Sequence, residues 1–263
     1  MSKLLGGHMG KEDTAILDWL AKIDYTAQQI DVRTRRQPET GEWLLRSAEF
    51  EAWLGTEKHI LFCPGIPGAG KTILTSLVVD HLTEQLDSSV GIAYLYCSFQ
   101  SEDQNECGEL LAGLLKQLAK GLSSLPEPVK TLYNEHRENK QIRPTMDDIS
   151  KALQQVVPMY KTVFIIIDAV DECYAAKGNR SRFLSTIFKL QENTNTKLFA
   201  TSRQIPDIEE LFKDDLTVEI RAHHDDICKY LDSRMPSLPK FVSKKTGLER
   251  EISSKIAAAV EGM

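Results

Sequence analysis

Three things are scarce in this chain, and each scarcity removes a class of function. No apolar run approaches the roughly 20 residues that a membrane-spanning helix needs; the densest cluster, VFIII from Val163 to Ile167, has the length of a strand. Positive charge is not in excess, since 32 Lys and Arg face 38 Asp and Glu for a net charge of −6. The chain as a whole therefore has no electrostatic reason to bind nucleic acid or an anionic membrane. Paired cysteines are missing too. The five (Cys63, Cys97, Cys107, Cys173, Cys228) are scattered, odd in number and form no CxxC, so neither a zinc site nor a disulfide framework is expected. A reducing intracellular compartment, the cytoplasm, fits that usage. Internal repeats and low-complexity tracts are likewise absent.

What is present is ordinary globular material: 41% hydrophobic, 27% charged and 7% aromatic residues over 263 positions. That suffices for a sizeable core in one large domain with appendages. The opening MSKLLGGHMG has no signal-peptide pattern and reads as an expression leader, residues 1–10.

Ile16, Leu17, Leu20 and Ile23 recur at helical spacing, which predicts a short helix over Asp13 to Ile23. The polar DVRTRRQPETGE, Asp31 to Glu42, reads as a connector. In the following WLLRSAEFEAWL, Ser47 can cap a helix carrying Phe50, Trp53 and Leu54. Together these make a helical lead-in and linker, residues 11–57.

From His59 short apolar strands alternate with helical segments, the signature of βαβ units and a parallel sheet. Strands are expected at His59–Cys63, Val90–Phe99, Thr162–Asp168, Lys197–Ser202 and Leu216–Arg221. Helices are expected at Lys71–Gln85, Glu106–Leu118, Met146–Val157, Arg180–Glu192 and Ile208–Phe212. Thr145 with Asp148 predicts an N-terminal cap for the third helix, and SSLPEPVK at Ser123–Lys130 interrupts the helical region before it. This α/β unit occupies residues 58–222. After Arg221 the patterns are helical, HHDDICKYLDSRM and LEREISSKIAAAV, so residues 223–263 read as a helical subdomain that begins here and stops short.

The chemistry concentrates in three places. Gly65, Ile66, Pro67, Gly68, Ala69, Gly70, Lys71 and Thr72 match GxxxxGK[ST] at every fixed position, after an apolar strand and before a helix. Glycines let successive N–H groups turn toward phosphate oxygens, and the helix adds its positive end. Lys71 would lie between the β- and γ-phosphates, the Thr72 hydroxyl would ligate Mg²⁺, and Ile73 completes the nucleotide-binding set. The bland alternative is a glycine-rich turn beside a surface lysine.

The second place is TVFIIIDAVDEC, where Asp168 emerges from a strand buried on both faces. It would hold Mg²⁺ beside Thr72. Asp171 and Glu172 follow, and one of them, Glu172 by its longer reach, would activate the attacking water; otherwise they form a solvated acidic turn. The third is KLFATSR. Its Arg203 would sense the γ-phosphate if that strand lies between the phosphate-loop strand and the acidic one, or else pair with a surface acid. Arg33, Arg35 and Arg36 either close over the nucleotide or form a solvated linker face, and capping explains His223 and His224 as well as a ligand role does.

GIPGAGKT, FIIIDAVDEC and FATSR, with WLLRSAEFEAWL just upstream, resemble the NACHT domain of fungal NOD-like receptors, a branch of the STAND class of P-loop NTPases. ILDWL and RRQPETGEWLL are similar to the lead-in of its nephrocystin-like subgroup. The resemblance runs from about Ile16 to the C-terminus. It implies a five-stranded parallel sheet in the order 5-1-4-3-2, flanked by helices. It assigns phosphate and Mg²⁺ binding to Lys71 and Thr72, the magnesium aspartate to Asp168, an acidic pair to Asp171 and Glu172, and a sensor to Arg203. One departure is Ala169, where many members have glycine; the change should be tolerated.

Such proteins are switches that exchange ADP for ATP, open, and oligomerise to recruit a death or defence effector. The resemblance favours ATP, with GTP the alternative, and casts the chain as an excised core whose effector and sensor parts lie elsewhere. A slowly hydrolysing switch is thus the leading expectation. A housekeeping P-loop ATPase or kinase acting on a small molecule, protein or nucleic acid, and a non-hydrolysing nucleotide-binding scaffold, are its rivals. No acceptor pocket or arginine-rich lid for a kinase is visible, and the acidic balance speaks against a nucleic-acid motor.

Overall fold

A computed structural model describes residues 10–55, 60–98, 107–138, 143–173, 179–235, 238 and 247–261. Residues 1–9 of the expected leader, the strand start at His59, the strand end at Phe99 and the helix start at Glu106 lie outside the described residues.

Five parallel strands form one sheet: β1 (Ile60–Pro64), β2 (Val90–Tyr96), β3 (Thr162–Asp168), β4 (Thr196–Ser202) and β5 (Leu216–Thr217), in the spatial order β2-β3-β4-β1-β5. Read from the other edge this is 5-1-4-3-2, the order implied by the resemblance. β4 lies between β1 and β3, with Cys63 opposite Thr201 and Ile167 opposite Ala200. The C-terminal ends of all three central strands therefore emerge at one edge.

The strand pattern shows why both sheet faces must be covered. Along β3, Val163, Ile165 and Ile167 join one core cluster and Phe164 and Ile166 the other, all of them buried. A strand buried on both sides reads as a continuous apolar run. The first face is covered by α1 (Lys11–Leu20), α2 (Tyr25–Arg35), α6 (Cys107–Gly121), α7 (Glu127–Glu138), α8 (Met146–Val156) and α9 (Asn179–Asn193). The second face is covered by α3 (Glu42–Leu45), α4 (Ala48–Gly55) and α5 (Lys71–Gln85). Short α10 (Pro206–Glu209) precedes β5, and α11 (His224–Arg234) and α12 (Leu248–Glu261) end the chain.

Local chemistry sets several of these boundaries. The Ser47 hydroxyl accepts the Phe50 N–H at 3.2 Å and starts α4. Thr145 and Asp148 form a reciprocal capping box on α8. Lys197, only 5% exposed, donates its ammonium to the Trp53 and Leu54 carbonyls at 2.9 and 2.6 Å, satisfying acceptors at the α4 C-terminus.

Four expectations are corrected. β5 is two residues long instead of running to Arg221. The Val218 and Ile220 N–H groups still bond the Phe62 and Pro64 carbonyls at 2.9 and 2.7 Å, but Pro64 has no N–H to return, so the ladder stops. The connector from Asp31 is, up to Arg35, the end of helix α2, whose buried face is only Tyr25, Gln29 and Val32. Gln29 docks it on α5, donating to the Ser76 carbonyl at 3.1 Å and to Asp80 at 3.0 Å while accepting from the Tyr96 hydroxyl. Helix α7 begins at Glu127, inside SSLPEPVK, the segment expected only to interrupt the helical region. Finally, Cys97 and Cys173, 76 positions apart in sequence, are joined by a disulfide, with Cα atoms 5.2 Å apart. Parallel pairing of β2 with β3 carries both strand ends to the same edge, a proximity that sequence spacing does not reveal. Cys63, Cys107 and Cys228 are not in disulfides.

Candidate functional site

β1 ends at Pro64 and the chain turns at once into the glycine loop. Gly65 has no room for a side chain, because a Cβ there would lie 2.4 Å from the Ile220 carbonyl oxygen. Its N–H is held by the Ser202 carbonyl at 3.0 Å, so the loop is anchored to the end of β4 on one side and to the segment after β5 on the other. Gly68 and Gly70 have φ of 83° and 94°, backbone that favours glycine, and Gly70 caps α5. Lys71 and Thr72 thereby begin a 15-residue helix whose free N–H end faces the loop.

Asp168, at the end of β3, is 3% exposed and sits behind Thr72. Thr72 donates its hydroxyl to Oδ2 at 2.6 Å, and Thr75 and Thr201 donate to Oδ1 at 2.9 and 2.7 Å. Burial pushes the Asp168 carboxyl upward, and the three hydroxyls oppose that. The donor set of a hard carboxylate and a hydroxyl, fixed in place beside phosphate-binding backbone, suits Mg²⁺. Thr75 and Thr201 were not singled out as site residues by the sequence reading. Each occupies an ordinary helix or strand position, and only the register that brings β4 beside β3 aims them at Asp168.

A cavity of about 390 Å³ opens in front of this group, lined by Pro67, Gly68, Gly70, Lys71, Thr72, Ile73, Ala169, Asp171, Glu172 and Arg203. The three separated motifs are thus brought to one place. The Lys71 ammonium folds back onto the Gly65 and Ile66 carbonyls at 2.7 and 2.9 Å. Burial pulls its pKa below the ordinary lysine range, while Asp171 and Asp168 oppose the shift. Ala169 stands in left-handed backbone, φ 56° and ψ 58°, with its N–H on the Thr201 hydroxyl at 2.9 Å. That geometry is why glycine suits this position and why alanine is accepted there only with strain. The turn that follows, Val170–Glu172, splits the acidic pair: Asp171 is buried against Arg203, and Glu172 is half-buried on the cavity wall.

A second cavity, about 380 Å³, shares Gly68, Gly70 and Ile73 with the first. Ala69 lies on this side, with Arg35, Arg36, Thr40, Trp43, His223 and Tyr230 among its walls. Trp43 stacks on His223, ring centroids 4.6 Å apart. The Gly41 N–H donates to Asp226 at 2.9 Å and Lys229 to the Glu39 carbonyl at 2.8 Å, tying α11 to the lead-in loop. Of the three linker arginines, Arg35 and Arg36 line this cavity. Arg33 does not line it and pairs with Asp80 at 3.5 Å. No sequence signal marked Trp43, Tyr230 or Asp226, since the wall is assembled from two segments far apart in the chain. Among the described residues, no helix is long and apolar enough to cross a membrane.

Comparison with known proteins agrees with this geometry. The vegetative incompatibility protein HET-E-1 of Podospora anserina is 26% identical over 174 residues, 64% of this chain and 12% of that protein. The chain thus spans about an eighth of this curated relative's length. The structure of Drosophila ORC bound to DNA superposes with a TM-score of 0.50 at 17% identity, covering 88% of this chain and 55% of that one. At that identity the likeness concerns the fold alone, a parallel sheet with flanking helices. The family model described as Nephrocystin 3, N-terminal, matches residues 39–203, from the lead-in loop through the phosphate loop and the acidic turn to Arg203. The chain belongs to that family, in keeping with its NACHT-like motifs.

Proposed function

We propose that the chain is the nucleotide-binding, slowly hydrolysing switch module of an intracellular signalling receptor of the incompatibility type. The observation that carries this reading is the pair of adjoining cavities. One is lined by Lys71, Thr72, Glu172 and Arg203 and suits phosphates; the other, with Trp43, Ile73 and Tyr230, is of the size and character of a nucleoside site. They meet at Gly68, Gly70 and Ile73, where a nucleotide's α-phosphate would lie.

In this reading the loop N–H groups and Lys71 hold the β- and γ-phosphates. Thr72 and Asp168 hold Mg²⁺, which supplies charge neutralisation on the phosphate oxygens. Glu172 orients and deprotonates the attacking water, and Arg203 faces the γ-phosphate. ATP is favoured over GTP, consistent with the family resemblance. The triphosphate form is the one that self-associates. The HET-E-1 likeness supports a role in incompatibility signalling.

The test is to denature the purified chain and identify released nucleotide by chromatography, with Lys71→Ala alongside. Bound ADP in the wild type, absent from Lys71→Ala, is expected. No bound nucleotide, and no ATP or ADP binding by calorimetry with Mg²⁺, would overturn the reading.

A further inference from the structure

The acidic turn offers two carboxylates to one cavity, and they are held in different ways. Glu172 is half-buried and on the cavity wall. The Asp171 side chain is 1% exposed, and both of its oxygens are engaged by the same residue. Oδ1 accepts the backbone N–H of Arg203 at 3.1 Å, and Oδ2 accepts from the Arg203 Nε. We infer that Asp171 is a positioning residue that clamps Arg203 by its main chain and its Nε together, so that the outer edge of the guanidinium serves the γ-phosphate. The inference rests on the nucleotide reading above and assigns within it what distinguishes triphosphate from diphosphate.

Three features carry it. Arg203 is the first residue beyond β4, where the chain leaves the sheet and would otherwise be loosely directed. The Asp171 bond to its N–H fixes that departure. The Arg203 side chain is 41% exposed and lines the cavity, while its partner is almost wholly buried, so the clamp grips the side chain at its Nε from the inside. A guanidinium gripped at Nε has two further nitrogens in the same plane, spaced to meet phosphate oxygens. An exposed arginine without such a hold would lose rotamer freedom each time it met the phosphate.

The same geometry separates the two acids. A carboxylate whose two oxygens already accept from Arg203, and which is shielded from solvent, is poorly placed to take a proton from water. Glu172, half-buried on the cavity wall, is the acid placed for that task.

The experiment measures, by calorimetry with Mg²⁺, the affinities of ADP and of a non-hydrolysable ATP analogue. It uses the wild type, Asp171→Asn, Arg203→Ala and the double variant. Asparagine keeps an oxygen for the Arg203 N–H. Asp171→Asn should lower the ratio of ATP-analogue to ADP affinity about tenfold, the loss of one charge-assisted bond. Arg203→Ala should do the same, and the double variant should fall no further than Arg203→Ala alone. A wild-type ratio in Asp171→Asn, or losses that add in full, would overturn the clamp. So would Asp171→Asn that binds both ligands as the wild type does yet no longer hydrolyses ATP, which is the signature of a base. Arg203→Lys gives an arm independent of how Asp171 variants fold. It keeps the charge and the backbone bond but has no second N–H edge, and the ratio should fall about as far; an unchanged ratio would again overturn the clamp. If the wild type binds neither ligand, the nucleotide reading itself falls, an outcome distinct from binding without discrimination.

Discussion

The Thr201 hydroxyl joins Asp168 to Ala169: it donates to the Asp168 carboxylate at 2.7 Å and accepts the Ala169 N–H at 2.9 Å. One side chain at the end of β4 thus fixes both the acid and the turn that follows it. Thr201→Val keeps the shape and removes both bonds. It should cost about 1–3 kcal/mol, because a buried N–H is left without an acceptor. A fall in the urea midpoint and weaker Mg²⁺-dependent nucleotide binding are expected; an unchanged midpoint would rule out the bridging role.

Glu172→Gln is expected to bind ATP and ADP as the wild type does and to lose hydrolysis by about a hundredfold or more, the usual worth of a positioned base. Phosphate release under single-turnover conditions is the measurement. Normal turnover would move the role of base to another group.

Position 169 tests backbone strain in isolation. Its φ of 56° suits glycine best, tolerates alanine and penalises a β-branched side chain. Ala169→Val should be less stable than Ala169→Gly by about 2 kcal/mol or more in urea unfolding. Equal stability would show that the turn relaxes out of the left-handed region.

The α8 cap predicts a pH dependence. The Thr145 side chain and backbone bond Asp148 and hold its carboxyl below the ordinary range, with His136 also facing it at 3.7 Å. A carboxyl whose folded pKa is depressed contributes stability above its unfolded value and loses it as pH falls through the folded one. Asp148→Ala should therefore lower stability at pH 7 by less than about 1 kcal/mol, as befits a solvent-screened site. That difference should shrink below about pH 4. Thermal melts of both proteins across pH 2.5 to 7 check it, and a difference that grows on acidification would contradict the sign.

How much of this was legible follows from where each signal resides. FIII could only be a strand buried on both faces, and β3 has the predicted bounds, Thr162–Asp168. The phosphate loop was legible because its chemistry is local, with every essential residue within eight positions. Helix α2 was not, because one of its three buried positions is Gln29, whose burial depends on partners on α5 and β2. The Cys97–Cys173 bond, the Thr75 and Thr201 contacts to Asp168 and the Trp43 wall share one cause. Each joins residues separated by dozens of positions, and hydrophobic periodicity says nothing about which polar groups a strand register will bring together.

The wall between α11 and the lead-in loop has an optical consequence. The chain has three tryptophans. Trp53 is sealed in the core and Trp19 packs edge-on to Tyr133, and neither lines the second cavity. Trp43 alone of the three lines that cavity, face to face with an imidazole carried at the N-cap of α11. Any rotation of α11 away from the glycine loop must unstack that pair as it breaks the Gly41–Asp226 bond. The indole is therefore a native fluorophore between α11 and the lead-in loop, whose emission reports any separation of the two without a label.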